Sequence, residues 1–415
     1  MLPSPPWFRQ RGYLHFDVPV KPAFAEALTP SSVASHVWSP LIHFIKTEKR
    51  YKVKERKTVP KQRPIMFASH RDACILSKYS SELVIRLDQW YRANGLDDTV
   101  IAYRSLGRSN YHFAKRVEDF VRSQPSLTVM CFDVSGFFDN LDHKRLRVRL
   151  KEILGCSDLS EDWFAVLRAT TKYHFVDLEQ LKRHQQLAIR LKDRKRHPLA
   201  TIAAVKALGI PIEKNIKSVG IPQGTPISAS FSNLYMMAFD LEMESEASKR
   251  GALYQRYSDD ILVACPPSRG AVLKALVEEK LIEHGLELQT AKTEIVTLHG
   301  PSCALTFQYL GYQLGFVDAR LRLKSLSRQW RSAKRAIKKT ERVGLEAIKA
   351  GKAKKVFTRK LHMRFTGAGK KNFLAYADKS ADTLVSSAIR QQARRLNRFT
   401  ASELARIRGK PMPKR

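Results

Sequence analysis

A chain of 415 residues with 43% apolar content is long enough for two or three packed units with a sizeable core. It carries 74 Lys and Arg against 39 Asp and Glu, a formal charge of +35 that far exceeds what solubility requires and points to a polyanionic partner, nucleic acid first. From Arg320 on no apolar run is long enough to span a bilayer, and Cys74, Cys131, Cys156, Cys265 and Cys303 show neither CxxC pairing nor zinc spacing, so they read as reduced core thiols.

In chain order, residues 1 to 60 open rich in Pro and aromatics and then turn basic (KTEKRYKVKERKTVPKQR), an irregular arm leading into a ribbon that could face phosphates. The opening MLPSPPWFRQRGYLHFD has no apolar core and no cleavage-site pattern, so no export signal is expected and the protein is expected in the cytoplasm. Apolar spacing and an Asn-Gly stop predict a helix from about Asp72 to Ala93, and NYHFAKRVEDFVRS a second. TVMCFDV reads as a short buried strand with Asp133 at its end, and NLDHKRLRVRLKEIL as a helix with a polar entry. From Cys156 to about Ser218 the pattern is mostly helical, with a basic stretch (KRHQQLAIRLKDRKRHPLA) to which no role is assigned. VGIPQGTPISASFSNLYMMAFDLEMESEASKRG reads as a Gly/Pro turn and one long amphipathic helix. Two strands flank Asp259 and Asp260 in QRYSDDILVA, followed by the helix SRGAVLKALVEEKLIEHG and a strand pair made of LELQTAKTEIVTL and LTFQYLGYQLG. Beyond Leu321, long basic helical patterns suggest a separate helical domain; from Arg320 onward there are 29 basic and 5 acidic residues, most of the charge excess.

Ser-Asp-Asp is ordinary turn chemistry, because a short side-chain oxygen can bond nearby backbone. Adjacent carboxylates also suit a hard divalent cation that offsets their repulsion, and that use needs a third carboxylate. Asp133, at a strand end in CFDVSGFFDNLDH, is the candidate. Three rigid carboxylates can hold two metal ions that touch an attacking hydroxyl, an α-phosphate and a departing pyrophosphate together.

These residues carry a resemblance. CFDVSGFFDNLDH resembles motif A of reverse transcriptases, GIPQGTPISASFSNLY motif B, YSDD the YxDD box of motif C, GLELQTAKTEI motif D and FQYLGY motif E, all in the family's order, while KQRPIMFASHRDACI and AYRSLGRSNYHFAK resemble the finger motifs. The resemblance implies an α+β right-hand polymerase fold: an arm over 1 to 60, fingers and palm over 61 to 318, and a basic helical thumb over 319 to 415. It implies that Asp133, Asp259 and Asp260 hold two Mg²⁺ ions, or Mn²⁺, with the Val134 carbonyl as a further contact. Phe138, five residues after Asp133, matches the steric gate that excludes a 2′-OH and so selects dNTPs; its other reading is a core aromatic beside Phe137. Lys61 and Arg63 match the cations that grip the triphosphate, or form a solvated charge pair. Gln223 and Gly224 match the turn that touches the incoming nucleotide, with glycine allowing close backbone approach, or make a plain turn before a helix. Lys292 matches the lysine that protonates the leaving pyrophosphate, or is a surface lysine.

No zinc, endonuclease or ribonuclease H pattern follows the thumb, and RFTGAG lies too late to match the VTG signature of retron enzymes. RGYLHFD, ASHRDA and AYR…GRSN are similar to boxes of the bacterial "unknown group" reverse transcriptases that defend against phage. That likeness implies a dedicated non-coding RNA as template and scaffold, with complementary DNA as product, and leaves open a homo-oligomer or a partner protein. Two rivals stand beside it: a template-independent or protein-primed polymerase, and a non-catalytic RNA-binding scaffold on the same fold.

Overall fold

The computed structural model describes residues 4–52, 56–193 and 197–408. At its centre is a four-stranded antiparallel sheet in the order β6-β7-β3-β8, built from β3 (Ser126–Asp133), β6 (Leu253–Tyr257), β7 (Asp260–Cys265) and β8 (Glu294–His299). Strand residues alternate between two cores: Met130, Phe132, Ile261 and Val263 enter one, while Leu127, Val129, Leu262 and Ala264 enter the other. Burial on both faces is why β3 and β7 read as continuous apolar runs.

The first core lies under the helices His70–Ala93, His143–Leu154, Ser228–Tyr235, Met237–Ser248 and Gly270–Glu283. After motif B the chain thus makes two helices that meet at Met236 instead of the expected one. Ser228 and Ser230 to Tyr235 are all buried, so this segment is surrounded by protein and has no solvent face to give it an amphipathic pattern.

The second core joins the palm sheet to the hairpin β9 (Phe307–Tyr309), β10 (Tyr312–Leu314) and β11 (Arg320–Leu321), and to the helices Leu323–Lys349, Arg359–Phe365, Phe373–Thr383 and Ser387–Ile407. The basic C-terminal helices therefore share a core with the palm, contrary to the expected separate domain. Tyr312 Oη, for instance, donates to Tyr376 Oη at 2.6 Å. The expected pairing of LELQTAKTEIVTL with LTFQYLGYQLG is also corrected. β8 pairs with β3, and β9 turns back on β10 through Leu310 and Gly311, because a tight local turn closes at less entropic cost than a long one.

The fingers sheet has the order β2-β1-β4-β5, with β1 (Leu41–Lys52), β2 (Lys57–Phe67), β4 (His174–Asp177) and β5 (Glu213–Lys214). The expected irregular arm over 1 to 60 is thus a long antiparallel hairpin from Leu41 on, and residue 60 falls inside β2. Its tip, residues 53 to 55, lies outside the described residues. β1 pairs with β4 only at Leu41–His43, so the rest of the ribbon is two-stranded. The stretch read as mostly helical, 156 to 218, holds among its described residues four short helices but also β4 and β5, whose partners are too distant in sequence for periodicity to reveal. Part of its basic stretch, residues 194 to 196, is likewise outside the described residues.

The opening RGYLHFD straps the fingers to the first core. Asp17 accepts from the backbone N–H groups of His70 (2.8 Å) and Arg71 (2.9 Å), capping the His70–Ala93 helix from a distance. Tyr13 Oη donates to the Ala68 carbonyl at 2.7 Å and its ring stacks on His70. His15 is fully buried, and burial pushes its pKa down to about 4, so it is neutral at pH 7.

Candidate active site

Asp133 ends β3 directly opposite Asp260, the first residue of β7. Tyr257 and Asp260 close the β6–β7 hairpin around a two-residue loop, Ser258 and Asp259. Ser258 adopts φ +60°, a left-handed conformation that costs a non-glycine residue about 1–2 kcal/mol. Two contacts hold it there: Arg256 Nη1 donates to the Ser258 carbonyl at 2.9 Å, and Tyr103 Oη donates to Ser258 Oγ at 3.1 Å. The Val134 N–H donates to the Asp259 carbonyl at 3.2 Å, so the two sequence-distant aspartate motifs are tied through backbone.

The three carboxylates share one end of the palm sheet and feel one another. Burial raises the pKa of Asp259, and the Asp133 charge adds to it. Burial, then Asp259 and Asp133, push Asp260 up to about 6. Lys292, in the short 3₁₀ turn Thr290–Lys292, donates its ammonium to Asp133 Oδ2. Among the described residues, however, no three His, Cys, Asp or Glu side chains form a group able to hold a metal ion. The expected ligand set is brought to one place without being closed, and Lys292 engages one of its members.

Phe138 lies in the 3₁₀ turn Phe137–Asp139, half-buried, edge-on to Phe137 with centroids 5.4 Å apart. Its carbonyl accepts the Ile221 N–H at 2.9 Å, which sews the Asp133 segment to the motif B turn. Gly220 has φ +88°, and a Cβ there would lie 2.9 Å from the Asp139 carbonyl oxygen. Gly224 has φ +122°, and its Cβ would lie 2.6 Å from the Met66 carbonyl oxygen, while the Met66 N–H donates to the Gln223 carbonyl at 2.9 Å. The close approach that Gly224 permits is therefore to the fingers strand β2; the expectation concerned a nucleotide.

Lys61 and Arg63 alternate with Ile65 on one face of β2, and the Ile65 side chain packs against Gly224. That face points the two cations along the fingers from the motif B turn. Arg63 Nη1 also donates to Glu48 Oε2 at 3.2 Å, across the strand pair.

Sequence reading missed the support beneath the loop. Arg256 and Asp240 are both fully buried and form a two-pronged ion pair, with Nε and Nη2 each 2.6 Å from a carboxylate oxygen. Tyr254 Oη donates to Asp240 Oδ1 at 2.7 Å, and Arg256 Nη1 reaches Asn233 Oδ1 at 3.3 Å. The segment Thr99–Ile101 runs along β6: the Arg256 N–H donates to the Thr99 carbonyl at 2.8 Å and the Ile101 N–H to the Arg256 carbonyl at 3.1 Å. The signal was available, since Asp240 interrupts the apolar MMAF and Arg256 a run of β-formers, opposite charges at two core positions. Arg322, whose charge lowers the raised pKa of Asp260, left no such signal.

Residues 59–314 match the family described as reverse transcriptase (RNA-dependent DNA polymerase). The chain belongs to the reverse transcriptase family. Its fold is that of a reverse transcriptase, α+β with a helical C-terminal region. Among solved structures it is similar to telomerase from Candida albicans in complex with a fragment of telomeric RNA (13% identity, TM-score 0.46, covering 92% of this chain and 63% of that one). It is also similar to apo telomerase from Candida tropicalis (12%, 0.47, 88% and 58%) and to the RNA-dependent RNA polymerase of a human picobirnavirus (11%, 0.39, 67% and 43%). The chain thus spans less than two thirds of each of these longer chains.

Proposed function

We propose that this reverse transcriptase polymerises dNTPs on an RNA template, and that its template in the cell is a dedicated non-coding RNA of a cytoplasmic bacterial anti-phage system. The observation that carries the polymerase reading is the meeting of Asp133, Asp259 and Asp260 at one end of the palm sheet, within the segment that matches the family. The anti-phage reading rests on the likeness of RGYLHFD, ASHRDA and AYR…GRSN to defence-associated boxes.

Reverse transcriptases generally use divalent metals, and the donor chemistry here fits one: the Asp133 charge helps raise the pKa of Asp259, and both help raise that of Asp260, a repulsion that a hard cation relieves. Asp133, Asp259 and Asp260 would hold two Mg²⁺ ions, whose chemistry is to acidify an attacking 3′-hydroxyl and offset the charge of the transferring phosphoryl group. The chain's own residues supply the rest. Arg256 and Tyr103 hold the loop that presents Asp259. Lys61 and Arg63 offer positive charge to a triphosphate from β2. Phe138, five residues after Asp133, would crowd a 2′-hydroxyl. Lys292 keeps an ammonium proton beside the carboxylates, available to a departing pyrophosphate once it leaves Asp133.

The test is primed synthesis on RNA with dNTPs and Mg²⁺, together with sequencing of the RNA and DNA that co-purify with the protein from its native locus. Wild type should extend the primer and carry one abundant RNA with complementary DNA. Asp259→Ala should carry the same RNA without the DNA. DNA lacking any matching RNA would overturn the templated reading, and an Asp259→Ala protein that keeps full protection against phage would favour the scaffold.

A further inference from the structure

The C-terminal helices border an open cavity of about 780 Å³, between the helix Arg359–Phe365, the start of the helix Phe373–Thr383 and Gln329 of the long helix Leu323–Lys349. Arg359, Lys360, Arg364 and Lys371 line it, and no carboxylate does. Among the described residues none of these four cations has an ion-pair partner. Nothing among the described residues relieves their mutual repulsion, so the site favours an anion. The wall between them is apolar: Met363 is 51% exposed, and Phe373 borders the same space.

The loop that carries Lys371, TGAGKKN, is pinned. Asn372 Nδ2 donates to the carbonyls of Met363 (3.1 Å) and Thr366 (2.7 Å), and Asn372 Oδ1 accepts the Ala375 N–H at 3.0 Å. The Gly367 N–H donates to Asn397 Oδ1 at 3.1 Å, and a side chain at Gly369 would run into the Met363 carbonyl. A pinned loop loses little freedom when it binds, so Lys371 and Phe373 are held ready for a ligand.

We infer that this cavity takes one unstacked nucleotide of single-stranded RNA, its base against Met363 and Phe373 and its flanking phosphates on Arg359, Lys360, Arg364 and Lys371. The volume lies within the range of about 300–1,000 Å³ typical of sites for single small ligands. Cations around an apolar platform are how proteins hold single strands, where the bases offer π-faces and the backbone offers charge. The site would fix a single-stranded part of the RNA to the C-terminal helices, and it rests on the reading that the chain handles RNA.

The experiment compares full-length wild type, Arg359→Glu, Lys371→Glu and the control Lys349→Glu, binding a short single-stranded RNA or a blunt RNA duplex at one fixed salt concentration. Single-strand affinity should fall about tenfold or more in the two cavity variants, beyond the loss in the control, with duplex affinity falling equally in all three. RNA carrying 4-thiouridine should photo-crosslink to Met363 or Phe373 in wild type. Equal losses on both RNAs at all three positions, or crosslinks only elsewhere, would overturn the proposal and leave a solvated basic face. Primed synthesis on RNA by the same wild-type preparation separates this outcome from the polymerase reading: synthesis without cavity binding overturns only the cavity proposal.

Discussion

Asp260 sits where burial and two neighbouring carboxylates push its pKa up to about 6, well above that of an unfolded aspartate. The folded state therefore binds this proton more tightly than the unfolded chain. The sign follows: protonation as pH falls through about 6 favours the fold, and ionisation above it opposes the fold. In the absence of divalent metal, Asp260→Asn should raise the thermal midpoint at pH 8, and the gain should shrink as pH falls from about 6 and vanish only below the ordinary aspartate value of 3.8. Calorimetric Mg²⁺ titration of wild type should show weaker binding as pH falls through this range, because the proton and the cation compete for the same oxygens. The Arg256–Asp240 pair makes a second residue-scale prediction. Arg256→Met strands a buried carboxylate and should cost about 3–5 kcal/mol in denaturant unfolding, whereas the double change with Asp240→Leu should recover most of that loss. If the double change restores stability but leaves nucleotide incorporation depressed, the pair serves to position the Ser258–Asp259 loop.

At the scale of elements, the motif B turn is a junction between fingers and palm. Its residues bond β2 on one side through Gln223 and Met66, and the Asp133 segment on the other through Ile221 and Phe138. Gly224→Ala would force a Cβ against the Met66 carbonyl at a φ that alanine rarely adopts. It should cost about 1–3 kcal/mol and raise the KM for dNTP more than it lowers kcat, because the turn aims the fingers face that carries Lys61 and Arg63. Unfolding curves and steady-state kinetics on the same variant check both parts. Elements with local signals were legible in advance: the His70–Ala93 helix, β3 and the YSDD hairpin each carry their own period, cap or turn residues. The β1–β2 hairpin was read only as an arm leading to a basic ribbon because its outer half, KTEKRYK and KTVPKQR, has little apolar alternation, and the break at Met236 was missed because Ser228–Tyr235, nearly all buried, shows no polar face.

Across the whole molecule, the formal charge of +35 is concentrated in helices whose apolar sides join the palm's second core. Binding of RNA should therefore weaken steeply with salt, by about a thousandfold or more between roughly 50 and 200 mM, as expected when several phosphates are neutralised. A shallow dependence in a filter-binding series would count against the charge excess being used on RNA. Because palm and C-terminal helices share that core, they should also unfold together in one calorimetric transition.

The residues alone determined the family, the charge and the candidate carboxylates, because motif order, composition and short strand-turn-strand patterns are local properties of a chain. Only the tertiary structure decided that Lys292 lies on Asp133, that Arg256 and Asp240 support the Ser258–Asp259 loop, and that Gly224 admits the fingers strand. Those are contacts between segments far apart in sequence, and they exist because burying both faces of one sheet draws distant segments together around it.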